Sequence, residues 1–255
     1  MVFDLLTNGM IPNYPKNITM GLYKIRHWRD LGIATSEGLM DILVDCFDNV
    51  IDFTKTEGIK TARQLTTEDM LYLFFQQRIA CIGDQFNVTW SCGSCKVKTS
   101  VKLSMKLIEE IKLKDKVEIE EQMGLKFKVP KFDDMKKFTK ILKDYLDDDT
   151  KTAYKKSTEE KVATGVDSDG KPIEEIKTKW VFDDQYYADL IYYTYIENLE
   201  FRDLKEYLDF IRDQDGTLIK YFDEFRGKTY HGFKSDTKMK CKACGKEESI
   251  EIPTD

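Results

Sequence analysis

The spacing of apolar residues predicts two core helices in the first third of the chain. Between Ser36 and Phe53 apolar side chains recur every three or four residues, so they share one helix face, and Ser36 can cap the first turn. From Glu68 to Ile82 apolar residues cover almost the whole circumference, which is typical of a buried helix. The threonines before this segment can cap it and Gly83 can end it. The stretch Asn8–Thr19 has little periodicity and is predicted as a loop.

Alternation of polar and apolar residues predicts two short hairpins, far apart in the chain. In the first, Phe86–Trp90 and Lys96–Leu103 flank a Cys-Gly-Ser-Cys tip. In the second, Gly232–Lys240 and Lys246–Ile252 flank Cys-Lys-Ala-Cys-Gly. Each is therefore predicted as a strand, a cysteine knuckle and a returning strand.

The middle of the chain is predicted to mix helices with polar strands. Helices are expected over Ser104–Lys114, Asp133–Leu146, Phe182–Ile196, Phe201–Ile211 and Leu218–Phe225, and a short strand over Leu125–Val129. Lys161–Trp180 holds two polar, strand-like arms around Asp-Ser-Asp-Gly, which predicts an exposed hairpin. Of the 76 residues from Ser104 to Lys179, 36 are charged, so we expect a solvated region that depends on a partner.

The two cysteine pairs are the strongest chemical signal. Cys92 and Cys95 point two sulfurs at one point, and Cys241 and Cys244 do the same. Four thiolates match the tetrahedral preference of Zn²⁺, and a full sulfur shell makes the zinc structural rather than catalytic. The 145 intervening residues do not forbid a shared site, because the entropy of loop closure grows only logarithmically with length.

Other uses of these cysteines fit the pattern less well. A thioredoxin-like redox pair would precede a helix, whereas strand-like residues follow both pairs here. A disulfide is not expected in a reducing cytoplasm, where we expect this chain because Met1–Met10 lacks the basic and apolar regions of a signal peptide. His231 could replace one ligand, although four cysteines already fill the shell. Cys46 and Cys81 are expected to be buried thiols.

Charge and composition argue against several function classes. The net charge is −6, from 40 basic and 46 acidic residues, and nucleic-acid-binding proteins are usually basic. No apolar run approaches the length of a membrane span. We find no glycine-rich phosphate loop, no nucleophile and base pair, and only two histidines, so we expect neither an enzyme nor a small-molecule substrate. Lysines near the knuckles are the one feature that favours nucleic acid.

These patterns predict an α+β protein with a helical core and a four-cysteine zinc ribbon whose knuckles are separated by a long, charged, partly helical insertion. Residues 1–83 form an N-terminal helical region. Residues 84–104 and 230–254 form the two ribbon halves, and residues 105–229 form an inserted α/β region with an exposed hairpin near 161–180.

Several segments, taken in order, resemble the T4-type bacteriophage baseplate proteins, a family that includes a hub subunit of contractile tails. The segments are Ile11–Pro15, Asp41–Val50, Leu65–Gly83, the first knuckle, Leu125–Asp134 and Phe225–Pro253. Within Leu65–Gly83 the resemblance rests on Leu65, Asp69, Arg78 and Gly83. Within Phe225–Pro253 it rests on His231 and Gly232, which precede the second knuckle. The resemblance does not extend to Lys151–Lys179.

The resemblance implies a structural protein of the virion tail, a baseplate hub subunit assembled in the host cytoplasm through contacts with other baseplate proteins. It provides no catalytic residues. Two alternatives remain open: a hub assembly chaperone absent from the virion, and a zinc-ribbon regulator that binds nucleic acid.

Overall fold

The computed structural model describes residues 1–33, 38–118, 120–148, 150, 153–166, 172–183, 186–197, 201, 203–214, 216–234 and 236–251. These residues form helices and six small two-stranded antiparallel sheets, so the fold class is α+β. The chain divides into two compact units, Met1–Glu118 with Phe225–Asp255, and Ile119–Glu224. The three regions expected from the sequence stay a prediction.

The described part of the first unit contains three complete α-helices and four antiparallel strand pairs. Its elements are β1 (Val2–Asp4), β2 (Asn17–Thr19), α1 (Ile25–Ile33), α2 (Leu39–Asp48), α3 (Thr67–Cys81), β3 (Gln85–Ser91), β4 (Lys98–Ser104), β5 (Glu110–Ile111), β10 (Gly232–Phe233), β11 (Asp236–Lys240) and β12 (Glu247–Glu251). The pairs are β1 with β2, β3 with β4, β5 with β10, and β11 with β12.

Helix α3 buries Met70, Tyr72 and Leu73, so the predicted core helix is present. The Thr66 hydroxyl accepts a hydrogen bond from the Asp69 amide and caps the first turn. At the other end, the Arg78 guanidinium donates to the carbonyl oxygens of Gly83 at 2.7 Å and Gln85 at 2.9 Å. Gly83 has a φ of +118°, a conformation that favours glycine. These contacts end the helix and set the start of β3.

Two element predictions in this unit are wrong, and one helix lies where no element was predicted. Residues 105–114 form a single turn of 3₁₀ helix, Met105–Leu107, and then β5, because pairing with β10 and with the N-terminal loop competes with the weak helical pattern. The predicted N-terminal loop contains β2. Helix α1 lies where no element was predicted, and its Ile25 and Ile33 side chains are exposed. Helix α2 lies within the predicted range, but its predicted cap, Ser36, lies outside the described residues.

The second unit packs helices against the base of a long hairpin. Its elements are β6 (Glu121–Gln122), β7 (Leu125–Lys126), α4 (Phe132–Asp147), β8 (Lys155–Val166), β9 (Pro172–Phe182), α5 (Tyr187–Tyr192), a 3₁₀ turn (Tyr193–Tyr195), α6 (Leu204–Asp213) and most of α7 (Gly216–Thr229). The predicted hairpin is present and begins six residues earlier than expected, while its predicted turn, 167–170, lies outside the described residues.

Among the residues that the structure describes, no helix is both long enough and apolar enough to cross a membrane.

Candidate metal centre

Both cysteine pairs form the same type of backbone turn at the tip of a hairpin. In the first, the Cys92 amide donates to the Val97 carbonyl at 3.1 Å, and the Lys96 amide donates to the Cys92 carbonyl at 2.9 Å. In the second, Cys241 and Gly245 make the equivalent bonds at 2.8 Å each. Lys96 has a φ of +60° and Gly245 a φ of +74°, so a lysine adopts the left-handed conformation that glycine adopts in the second turn.

Buried side chains from both hairpins pack beside the cysteines. In the first hairpin Trp90 pairs with Thr99, and both side chains are buried. In the second, Met239 lies beneath the sheet and is 8% exposed. Together with the buried side chains of Cys92 and Cys241, Trp90 and Met239 form a small apolar core that separates the sulfurs from solvent on one side.

The four sulfurs of Cys92, Cys95, Cys241 and Cys244 lie within 4.8 Å of one another. Two short separations join opposite knuckles: Cys92 Sγ to Cys244 Sγ at 3.7 Å, and Cys95 Sγ to Cys241 Sγ at 3.6 Å. A disulfide would bring two sulfurs to about 2.05 Å. All four are free cysteines, so the structure contains a cluster of thiols.

The sulfur spacing fits a tetrahedral metal ion. With metal–sulfur bonds of about 2.3 Å, the edge of a tetrathiolate tetrahedron is about 3.8 Å long. The two cross-knuckle separations lie close to that edge. The four cysteines could therefore hold one metal ion with no large movement of the backbone.

The electrostatics of the cluster also favour a cation. Backbone amides of Cys244 and Ala243 donate to the Cys241 sulfur and lower the pKa of that thiol to about 6. The Val97 amide points to Cys95, but desolvation and hydrogen bonds with the neighbouring sulfurs raise the pKa of Cys95 to about 12. Four sulfurs this close cannot all ionise unless a positive charge lies among them.

The remaining thiols and histidines lie elsewhere. Cys46 is buried in α2, and burial raises the pKa of its thiol to about 11. Cys81 is half-buried, with its sulfur 3.8 Å from the Tyr23 carbonyl oxygen. His27 is buried against the Tyr23 ring, and His231 is not part of the sulfur cluster.

His231 instead belongs to a buried polar network that the sequence motifs do not predict. Its Nδ1 donates to the Thr229 carbonyl at 2.9 Å, and its Nε2 lies 2.9 Å from the Thr66 hydroxyl. Next to Thr66, the fully buried Asp69 carboxylate accepts from the Leu6 amide at 2.8 Å and from the Tyr14 hydroxyl at 3.0 Å. The sequence signals for this network were the polar residues at the start of an apolar helix and the family resemblance at Asp69 and His231.

The chain matches the family described as T4 bacteriophage base plate protein over residues 6–254. The chain belongs to this family. No curated protein and no solved structure matches the chain. Membership in the base plate family supports a structural role in a phage baseplate, and it implies contacts with other baseplate proteins and a location in the virion tail.

The structure gives a physical role to several residues on which the resemblance to the base plate family rested. Tyr14, Asp69 and His231 belong to the buried polar network, and Arg78 and Gly83 end helix α3. All five therefore contribute to folding of the first unit.

Proposed function

We propose that this protein is a hub subunit of a contractile-tail baseplate, that it acts through protein contacts, and that one structural zinc ion joins its two knuckles. The observation that carries the proposal is the family match, which spans nearly the whole chain. The absence of a catalytic motif from the sequence supports a structural rather than an enzymatic role.

The choice of zinc rests on the donor set. Four thiolates in tetrahedral spacing suit Zn²⁺ better than hard cations, which prefer oxygen ligands. Four protein ligands leave no open position for substrate, so the ion would stabilise the fold. It would join two cysteine pairs that 145 residues separate in the sequence.

Metal analysis tests the zinc proposal. Protein purified without chelator should contain one zinc per chain, and Cys→Ser at any of the four positions should remove it. Structural zinc binding is worth ~10–16 kcal/mol in peptides, so these variants should also unfold the ribbon. Cys81→Ser is the matched control, because its thiol lies outside the cluster and the zinc should remain. Wild-type protein with almost no metal would refute the proposal.

A protein inventory of purified particles tests the hub assignment. A hub subunit should be present in isolated tails at a fixed ratio to other baseplate proteins. Absence from tails, combined with failure of tails to assemble when the protein is missing, would instead support an assembly chaperone.

Binding to DNA and RNA tests the regulator alternative. Eight lysines of the ribbon have exposed side chains: Lys96, Lys98, Lys102, Lys234, Lys238, Lys240, Lys242 and Lys246. However, Trp90 is buried and cannot stack on a base, and the chain is acidic overall. We expect the lysines to contact acidic protein surfaces.

At about 150 mM salt, binding to DNA or RNA should be no tighter than ~10⁻⁴–10⁻⁶ M. A sub-micromolar, sequence-dependent complex that Lys238→Glu and Lys242→Glu weaken would favour the regulator.

A further inference from the structure

The second cysteine hairpin makes polar contacts to the first knuckle. Glu248 Oε2 accepts a hydrogen bond from the Gly93 amide at 2.8 Å, although 155 residues separate the two. Its other oxygen, Oε1, lies 3.6 Å from the Cys92 sulfur. Two residues earlier, Lys246 Nζ donates to the Ser94 hydroxyl at 2.6 Å. Gly93 and Ser94 are the two residues between the cysteines of the first knuckle.

The register of the second hairpin explains why Glu248 points to the cluster. Glu248 pairs with Met239, whose side chain lies in the ribbon core, so the glutamate shares the inner face of the sheet. The preceding residue, Glu247, pairs with Lys240, and both of these side chains are exposed. Two adjacent glutamates thus have different surroundings.

The first knuckle is shaped to accept this carboxylate. A Cβ atom added to Gly93 would lie 3.2 Å from Glu248 Oε1, which is tighter than an ordinary contact. Glycine therefore allows the carboxylate to approach the knuckle backbone closely. The amide it binds lies next to Cys92, so the hydrogen bond constrains the backbone that carries a candidate metal ligand.

We infer that Glu248 is a positioning residue of the metal centre, which holds the first knuckle against the second hairpin so that the four sulfurs converge. The inference rests on the proposed metal centre. The contact uses only protein atoms, so it can form before metal binds and reduce the conformational entropy that binding would otherwise cost. Hydrogen-bond partners outside the ligand shell commonly change metal affinity 10–100-fold.

Zinc affinity, measured by competition with a chromophoric chelator, tests the role of Glu248. Glu248→Ala should weaken zinc binding by roughly 10-fold or more. Glu248→Gln should restore most of the affinity, because the amide oxygen can still accept from Gly93. Glu248→Asp should resemble Glu248→Ala, since its shorter side chain cannot reach that amide. Glu247→Ala is the matched control and should bind zinc like wild type.

Cobalt substitution separates positioning from direct ligation. The Co²⁺ absorption of a tetrahedral tetrathiolate should be the same in wild type and Glu248→Ala at saturating metal, because the four sulfurs are unchanged. A changed spectrum would identify Glu248 as a ligand and overturn the inference.

The remaining outcomes are equally decisive. Affinities of Glu248→Ala and Glu248→Asp within about threefold of wild type would overturn the positioning role but leave the metal centre intact. If Glu248→Ala fails to fold, the comparison of Glu248→Asp with Glu248→Gln decides the role of Glu248. A wild-type protein that binds neither zinc nor cobalt would refute the metal centre itself.

Discussion

At the scale of single residues, Asp69 connects the N-terminal loop to the start of α3. Its carboxylate is fully buried and accepts from Leu6, Tyr14 and, at 3.4 Å, the Thr7 amide. The Tyr14 hydroxyl in turn accepts from the Thr66 amide at 2.9 Å. Burial of a carboxylate is costly unless hydrogen bonds compensate it, and here three donors do so.

Asp69→Ala should therefore destabilise the protein by about 3 kcal/mol, because it leaves buried donors without an acceptor. Asp69→Asn should cost less, since its amide oxygen can still accept. Denaturant unfolding measures both values. Asp45→Ala, on the exposed face of α2, is the control and should change stability by less than about 0.5 kcal/mol. Equal stability of Asp69→Ala and the control would show that the network is dispensable.

The two knuckles offer a second comparison at this scale. Gly245 has a positive φ, and open space surrounds the position a Cβ would occupy, so Gly245→Ala adds backbone strain without a steric clash. We expect a loss of about 1 kcal/mol. Lys96→Gly makes the opposite change at the equivalent position and should leave stability unchanged or slightly higher. Thermal unfolding in excess zinc checks both, and a stabilising Gly245→Ala would contradict the argument.

At the scale of elements, the β8–β9 hairpin is anchored at its base. Lys155 Nζ donates to the carbonyl oxygens of Leu146 at 3.1 Å and Asp148 at 2.8 Å. The rings of Phe182 and Tyr145 stack with centroids 5.7 Å apart. Further along the strand, Ile176 is 64% exposed, which is unusual for a large apolar side chain. We therefore expect the base to belong to the second unit and the outer part to contact a partner in the baseplate.

Deletion of Ala163–Thr178 should leave zinc content, helix content and the fold unchanged, because it retains the anchored base. In the full-length protein, the backbone amides of the outer part of the hairpin, Ala163–Thr178, should exchange rapidly with solvent. Their exchange rate should fall in the assembled baseplate. Circular dichroism, metal analysis and hydrogen exchange measure these effects. Unfolding of the deletion variant would mean that the hairpin is a core element.

The base of the hairpin should respond differently to mutation. Trp180 is half-buried, and the Lys155 ammonium lies 5.5 Å from its ring centroid. Trp180→Ala removes that contact and should destabilise the protein by about 2 kcal/mol. Thr178→Ala, at an exposed position on the same strand, should have little effect on denaturant unfolding. Similar stabilities for the two variants would contradict an anchored base.

At the scale of the whole molecule, the sulfur cluster joins two parts of the chain, 92–95 and 241–244, that residues 119–224 separate in the sequence. Removal of metal with a chelator should increase hydrogen exchange in the β3–β4 and β11–β12 hairpins. Protection of α4 and α6 should persist, since these helices lie in the other compact unit. Uniform loss of protection throughout the chain would contradict this expectation.

Metal retention should depend on pH with a defined sign. The pKa of Cys241 is lowered from its ordinary value of 9.0 to about 6, so the folded site favours the thiolate. The Cys241 thiolate therefore stabilises the folded protein fully above pH 9, and this contribution to the free energy of unfolding is lost as the pH falls through about 6. Because protons compete with metal for sulfur, zinc should stay bound at pH 7.5 and be released as the pH is lowered. A chromophoric chelator can measure the release, and loss of zinc above pH 7 would contradict the prediction.

The sequence alone determined the features that depend on local pattern. Apolar coverage and capping residues placed α3 to within one residue at each end, and alternation around the Cys-x-x-Cys pairs identified both knuckle hairpins. The cysteine spacing also predicted which four sulfurs would converge, because few ligand sets other than a tetrathiolate explain two such turns. The resemblance to the base plate family is confirmed by the match over residues 6–254.

Only the tertiary structure decided the features that depend on distant partners. Residues 105–114 have a weak helical pattern, yet Glu110–Ile111 pairs with Gly232–Phe233, because interstrand hydrogen bonds outweigh small helix propensities. His231 lies next to a cysteine knuckle in sequence, but its ring is held by Thr66, far away in the chain. Glu247 and Glu248 are indistinguishable in the sequence, and only the register of β12 directs one of them to the first knuckle. Such pairings join residues more than a hundred positions apart, a separation at which local pattern carries no information.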